Sequence, residues 1–144
     1  MADILHRVGI KGSTPDKVYD ALTTLDGISG WWIEKTTGNP GLGGVIENPL
    51  GLDMKVTELD PRRLVRWEAT SGPAGWVGTS IRWDLRQDGD WTIVQFKQAG
   101  YPEQTELVYH SSTKWATFLI SLKQLVETGT GTPHPQSVTI GDWQ

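Results

Sequence analysis

Three histidines, His6, His110 and His134, are the side chains best suited to proton transfer near neutral pH. They are far apart in sequence and show neither metal-ligand spacing nor a neighbouring carboxylate arrangement, so no metal site or cofactor is expected. His6 falls on the apolar phase of an alternating segment and is read as a satisfied structural histidine that points inward. His110 is read as a surface residue, and His134 as part of a tail. Tyr101 and Tyr109 carry hydroxyls capable of acid–base work, and structural hydrogen bonding is the plainer reading. No Gly-x-Ser-x-Gly elbow is present, and Gly38 to Gly44 lacks the Gly-Lys-Ser/Thr of a phosphate loop. No catalytic residue is therefore assigned.

The other unusual chemistry is aromatic. The chain of 144 residues has eight tryptophans, Trp31, Trp32, Trp67, Trp76, Trp83, Trp91, Trp115 and Trp143, against two phenylalanines. An indole offers a large apolar face and one N–H that needs an acceptor when buried. Such side chains either brace a small core or line a ligand pocket.

The elements that must position them follow from periodicity. Asp3 to Lys11 alternates as a first strand, with Ile4, His6, Val8 and Ile10 on one face. Ser13 or Thr14 is expected to cap a helix opened by Pro15 and Asp16, with Val18, Ala21, Leu22 and Leu25 buried. Asp26-Gly27 should break it, and Ile28 to Trp32 reads as a second short helix. Strands are expected near 45–48, 52–59, 64–70, 76–87 and 91–98. Turns at Pro49-Leu50-Gly51, Asp60-Pro61-Arg62-Arg63, Gly72-Pro73-Ala74-Gly75 and Asp88-Gly89-Asp90 separate them.

Gly100-Tyr101-Pro102 should end the sheet. One long amphipathic helix then spans 105–127, with Val108, Trp115, Phe118, Leu119, Leu122, Leu125 and Val126 on one stripe and Gly129 just beyond. Residues 130–144 read as an extended tail anchored by Trp143. Strand alternation nominates Val65, Trp67 and Ala69, then Ile81, Trp83 and Leu85, as inward faces. Val94 and Phe96 follow on the last strand, where Trp91 leaves the phase open. Arg66, Glu68, Arg82 and Asp84 then form charged pairs on the outer face.

Composition limits the function. The sequence is 37% hydrophobic and 21% charged with a net charge of −4, which excludes a polyanion such as nucleic acid as the expected partner. No segment has the length of a membrane span. With no cysteine and a charged N-terminus lacking a signal-like apolar region, one cytoplasmic α+β domain over 1–144 is expected.

Four separated motifs add a family resemblance. They are Ser13-Thr14-Pro15-Asp16-Lys17-Val18-Tyr19-Asp20-Ala21-Leu22, the Trp31-Trp32 pair and Glu58-Leu59-Asp60-Pro61-Arg62-Arg63-Leu64-Val65. The fourth is Lys114-Trp115-Ala116-Thr117-Phe118-Leu119-Ile120-Ser121-Leu122-Lys123 with Glu127-Thr128-Gly129. In this order the chain resembles the helix-grip superfamily of START, Bet v 1-like and polyketide cyclase proteins (SRPBCC). Within it the chain is similar to the branch of the activator of Hsp90 ATPase homologue.

That resemblance implies a curved antiparallel sheet of at most seven strands wrapped around the C-terminal helix, with a hydrophobic cavity between them. The expected ligand-binding residues are Trp31, Trp32, Val65, Trp67, Ile81, Trp83, Phe96, Trp115, Phe118 and Leu119, with Trp31 or Trp32 at the mouth. Binding of a small hydrophobic or amphipathic ligand, lipid or polyketide-like, without catalysis is the leading expectation. A cyclase or lyase acting on an aromatic substrate is the alternative. A co-chaperone role is a second one, although the full activator has an N-terminal chaperone-binding domain that this sequence does not show. A core filled by its own tryptophans and a homodimer also stay open.

Overall fold

The computed structural model describes residues 1–143. Its elements run β1 (Ala2–Lys11), α1 (Pro15–Thr23), α2 (Leu25–Trp31), β2 (Thr37–Gly38), β3 (Val45–Glu47) and β4 (Met54–Asp60). They continue with β5 (Leu64–Ala69), β6 (Ser80–Asp88), β7 (Trp91–Tyr101) and α3 (Glu106–Thr128). The strands form one antiparallel sheet in the order β1-β7-β6-β5-β4-β3-β2. This is the helix-grip arrangement, an α+β fold in which the sheet curves around α3.

Register puts the inward positions side by side. Trp67 lies opposite Val56 and Ile81, Val65 opposite Trp83, and Trp83 opposite Phe96. His6 on β1 faces Phe96 in the same layer. Because side chains alternate along a strand, these pairings collect one continuous apolar face, and Val65, Trp67, Ile81 and Trp83 are all buried. The outer face carries the charges. Arg82 holds Asp84 through two hydrogen bonds of 2.9 and 3.1 Å, and Arg66 reaches Glu58 at 3.7 Å. Trp91 belongs to that outer face, 40% exposed, beneath the ammonium groups of Lys11 and Lys123 at 5.9 and 5.3 Å. Thr92, Val94, Phe96 and Gln98 are the inward residues of β7.

α3 has 23 residues, about 34 Å at 1.5 Å rise per residue. Its buried face is Val108, Ser111, Trp115, Phe118, Leu119, Ser121 and Leu122, and it ends at Gly129 with φ 88°, a left-handed cap. Near that end the helix is tied to β1. Glu127 accepts from the Lys11 amide at 2.8 Å and from Lys123 at 2.7 Å, while Lys123 also donates to the Gly9 carbonyl.

Four local expectations are corrected. Neither the Ser13 nor the Thr14 side chain caps α1; Thr14 stands at the N-cap without a side-chain bond, and Ser13 Oγ donates to the Thr14 carbonyl. The break between α1 and α2 falls at Thr24, whose Oγ1 accepts from the Gly27 amide at 3.1 Å, so Asp26 and Gly27 open α2. A Cβ on Gly27 would stand 2.7 Å from the Ala21 Cα, so the residue serves close helix packing. Trp76 is not on a strand: positive φ at Gly72, Gly75 and Gly78 keeps the chain in turns until Ser80. β7 continues through Tyr101, which pairs with Ala2.

The tail folds back along the molecule. His134 exchanges backbone hydrogen bonds with Trp32 and Glu34 (2.8 and 3.0 Å), and the Thr132 amide donates to Ser121 Oγ at 2.8 Å.

Candidate functional site

The tryptophans meet at Trp115, on the middle turns of α3. Its ring stacks on Trp32 (5.7 Å between centroids, 21°) and on Trp76 (6.1 Å, 6°), and lies edge-on to Trp83 at 6.0 Å. Phe96 approaches to 4.7 Å. Trp32 in turn stacks on Trp67 at 5.7 Å and on Trp31 at 6.1 Å. Trp31 donates its N–H to the Ala21 carbonyl at 2.8 Å. This aromatic layer fills the space directly under the sheet.

Beyond it, on the side of Trp32, Trp76 and Trp115 away from the central strands, lies a cavity of about 540 Å³, within the usual range for small-molecule sites. The first turns of α3 supply Leu107, His110, Ser111, Lys114, Trp115 and Phe118. Leu50 and Leu52 come from the β3–β4 connection, and Pro73, Ala74 and Trp76 from the β5–β6 connection. Trp32 and Ile33 form the floor after α2, and His134 and Trp143 close the tail side. Trp143 rests on His110, with ring centroids 4.9 Å apart.

Of the ten residues expected from sequence, Trp32, Trp115 and Phe118 line this cavity. The other seven lie in the packed layer behind it: Trp31, Val65, Trp67, Ile81, Trp83, Phe96 and Leu119. The strand phases that located Val65, Trp67, Ile81, Trp83 and Phe96 hold, and the open volume sits one aromatic ring further out. His110 and His134, read as surface and tail residues, are both on the wall. Lys114, Trp76 and the residues of the two loops were not singled out as wall residues. The available signal was the Gly72-Pro73-Ala74-Gly75-Trp76 run, which places a tryptophan in a turn.

The polar groups fall into two sets. One is a buried network behind Trp115. Gln98 Oε1 accepts from the Trp115 indole at 2.8 Å and from the Tyr101 hydroxyl at 2.6 Å. Gln98 Nε2 donates to Thr79 Oγ1 at 2.9 Å, and that hydroxyl donates to the Trp76 carbonyl at 2.7 Å. Burial pushes the Tyr101 phenol up to about 12, against a smaller opposing effect of the Ser111 hydroxyl. The second set faces the cavity: His110, Ser111, Lys114 and His134. Burial lowers the Lys114 pKa, and its Nζ donates to Ser137 Oγ at 3.1 Å and the Val138 carbonyl at 2.9 Å.

Two buried indole nitrogens, Trp76 Nε1 and Trp83 Nε1, have no acceptor among the described residues. A buried donor without a partner costs about 1–3 kcal/mol.

Of the candidate proton-transfer groups, only His110 and His134 are on the wall among the described residues, and the other three lie elsewhere. His6 donates to the Ser112 carbonyl at 3.0 Å, Tyr101 is held by Gln98, and Tyr109 is 64% exposed on the far side of α3. Among the described residues no group of three His, Cys, Asp or Glu is placed to hold a metal ion. No described helix is long and apolar enough to cross a membrane.

Comparison with known proteins decides the family. The model for Activator of Hsp90 ATPase homolog 1-like protein matches residues 13–127. The chain belongs to this family. The solution structure of the Aha1 dimer from Colwellia psychrerythraea is 41% identical with a TM-score of 0.82, covering 91% of this chain and 100% of that one. CalU16 from Micromonospora echinospora, also solved in solution, is 19% identical with a TM-score of 0.80, covering 99% of this chain and 75% of its own. A crystal structure from Staphylococcus saprophyticus, 16% identical with a TM-score of 0.73, covers 90% and 95%. The last two bear on the fold alone. No curated protein matches the sequence. Family membership agrees with the helix-grip arrangement, and the cavity wall at Lys114-Trp115 and Phe118 falls inside the matched segment.

Proposed function

We propose that this member of the Activator of Hsp90 ATPase homolog 1-like family binds a small hydrophobic or amphipathic ligand in the cavity beside Trp115. One observation carries the reading: a largely apolar space of about 540 Å³ is walled by the stacked rings of Trp32, Trp115 and Trp76. The few polar groups on the wall, His110, Ser111, Lys114 and His134, support a ligand with a polar end. Apolar walls with a few placed polar groups are the usual composition of a small-molecule site. The residues proposed to contact ligand are Trp32, Trp76, Trp115 and Phe118. The deeper Trp31, Val65, Trp67, Ile81, Trp83, Phe96 and Leu119 support them from behind.

Tryptophan fluorescence during titration with fatty acids, flavonoids, sterols and polyketide mimics tests this. The expected result is a saturable change with at least one class, weakened tenfold or more when Leu107→Trp fills the cavity without lowering the melting temperature. No saturable change across the panel would overturn the reading.

The Colwellia structure is of a dimer, and at 41% identity a homodimer is proposed for this chain as well. Sedimentation velocity at micromolar concentration decides it, a single monomeric species counting against the dimer. A cytoplasmic place of action is part of the same proposal and rests on the cysteine-free composition.

A further inference from the structure

The cavity is chemically lopsided. Its loop side, from Leu50 and Leu52 to Pro73 and Ala74, is apolar, whereas the α3 and tail side presents His110, Ser111, Lys114 and His134. Among the described residues Lys114 is the only Lys or Arg on the wall, and no Asp or Glu lines it. Lys114 is also half-buried and, among the described residues, makes no ion pair. Its Nζ is held by two neutral oxygens, Ser137 Oγ and the Val138 carbonyl, and stands 5.2 Å from the centre of the Phe118 ring. An ammonium has three protons to donate, and these two acceptors use two of them. A partly desolvated cation without a counter-charge gains most from an anion brought by a ligand.

We infer that the cavity takes a planar apolar ligand carrying one anionic group, the rings against Trp115 and Trp76 and the anion on Lys114. This rests on the ligand-binding reading above and adds the sign of the ligand's charge. His110, one helical turn before Lys114, stands on the same face and adds a second donor at that end. The tail contacts fix the Lys114 ammonium beside residues 137–138, and no carboxylate among the described residues pairs with it.

The test compares two fluorescent probes of one shape. The anionic probe is 1-anilinonaphthalene-8-sulfonate, and N-phenyl-1-naphthylamine is its neutral counterpart. Wild-type protein is expected to bind both. Lys114→Met is expected to weaken the sulfonate at least tenfold and leave the neutral probe within twofold, and Lys114→Arg should restore most of the sulfonate affinity. Ser137→Ala, which loosens the tail and keeps the charge, should not weaken the sulfonate. Equal affinity for the sulfonate in wild type and Lys114→Met overturns the inference, as does an equal loss of both probes or a Ser137→Ala variant that behaves like Lys114→Met. Binding of the neutral probe alone would leave the cavity standing and remove the anion. Binding of neither to wild type would remove both.

Discussion

The indole N–H of Trp115 donates to the side-chain oxygen of Gln98 across 2.8 Å, joining α3 to β7 inside the core. The same oxygen accepts from Tyr101 and the amide nitrogen reaches Thr79, so one buried glutamine fixes the ring that backs the cavity. Gln98 is fully buried, and a network of this kind is stabilising only while every member is paired.

Gln98→Leu should therefore cost far more than a surface change. It leaves the Trp115 N–H and the Tyr101 hydroxyl without their acceptor, and two stranded donors at about 1–3 kcal/mol each predict a loss of about 2–6 kcal/mol. Urea unfolding measures it. A loss below about 1 kcal/mol would mean that the network is replaceable by packing.

Tyr101 predicts an alkaline limit. Its folded-state pKa of about 12 lies above the ordinary value of 10.0, so the folded protein keeps a proton that the unfolded chain gives up. The stability this contributes is complete below pH 10 and is lost as pH rises from 10 toward 12. Tyr101→Phe should flatten that part of the stability–pH curve, and absorbance near the phenolate band should show one tyrosine ionising late.

Glu127 predicts the opposite limit. Hydrogen bonds from Lys123 and from the Lys11 amide hold its pKa below the ordinary carboxylate value. The tie is present above the unfolded pKa and is lost as pH falls through the folded one. Glu127→Gln should cost about 0.3–1 kcal/mol at pH 7, since the pair lies at the surface, and less at pH 3. Paired thermal melts at the two pH values read this directly.

Gly129 ends α3 at φ 88°, a conformation unfavourable for a side-chain-bearing residue. Gly129→Ala should cost about 1 kcal/mol, while leaving the affinity for naphthylamine probes unchanged, because the cap is far from the cavity wall along the helix.

Much of the architecture was legible because it is written in period. The stripe of α3, its glycine stop and the inward phases of β5 and β6 all appear where alternation puts them, with Trp67 and Trp83 buried and Arg66 and Arg82 outside. The position of the cavity was harder to read. Alternation says which face a tryptophan is on, not whether its ring leaves a void, and here Trp67 and Trp83 fill the space under the sheet. The open volume depends on Trp76, which glycines place in a turn, and on a tail whose docking has no periodic signature. Gln98 carries a signal in the sequence: it is the next inward position after Val94 and Phe96, and a glutamine in an apolar phase calls for partners.

The most direct test of the ligand cavity is the set of indole N–H resonances followed by nitrogen–proton correlation during titration with N-phenyl-1-naphthylamine. The cavity beside Trp115 predicts large shifts for Trp32, Trp76, Trp115 and Trp143 and small ones for the outward Trp91. Shifts confined to Trp91, or a spectrum unchanged at saturating probe, would contradict it.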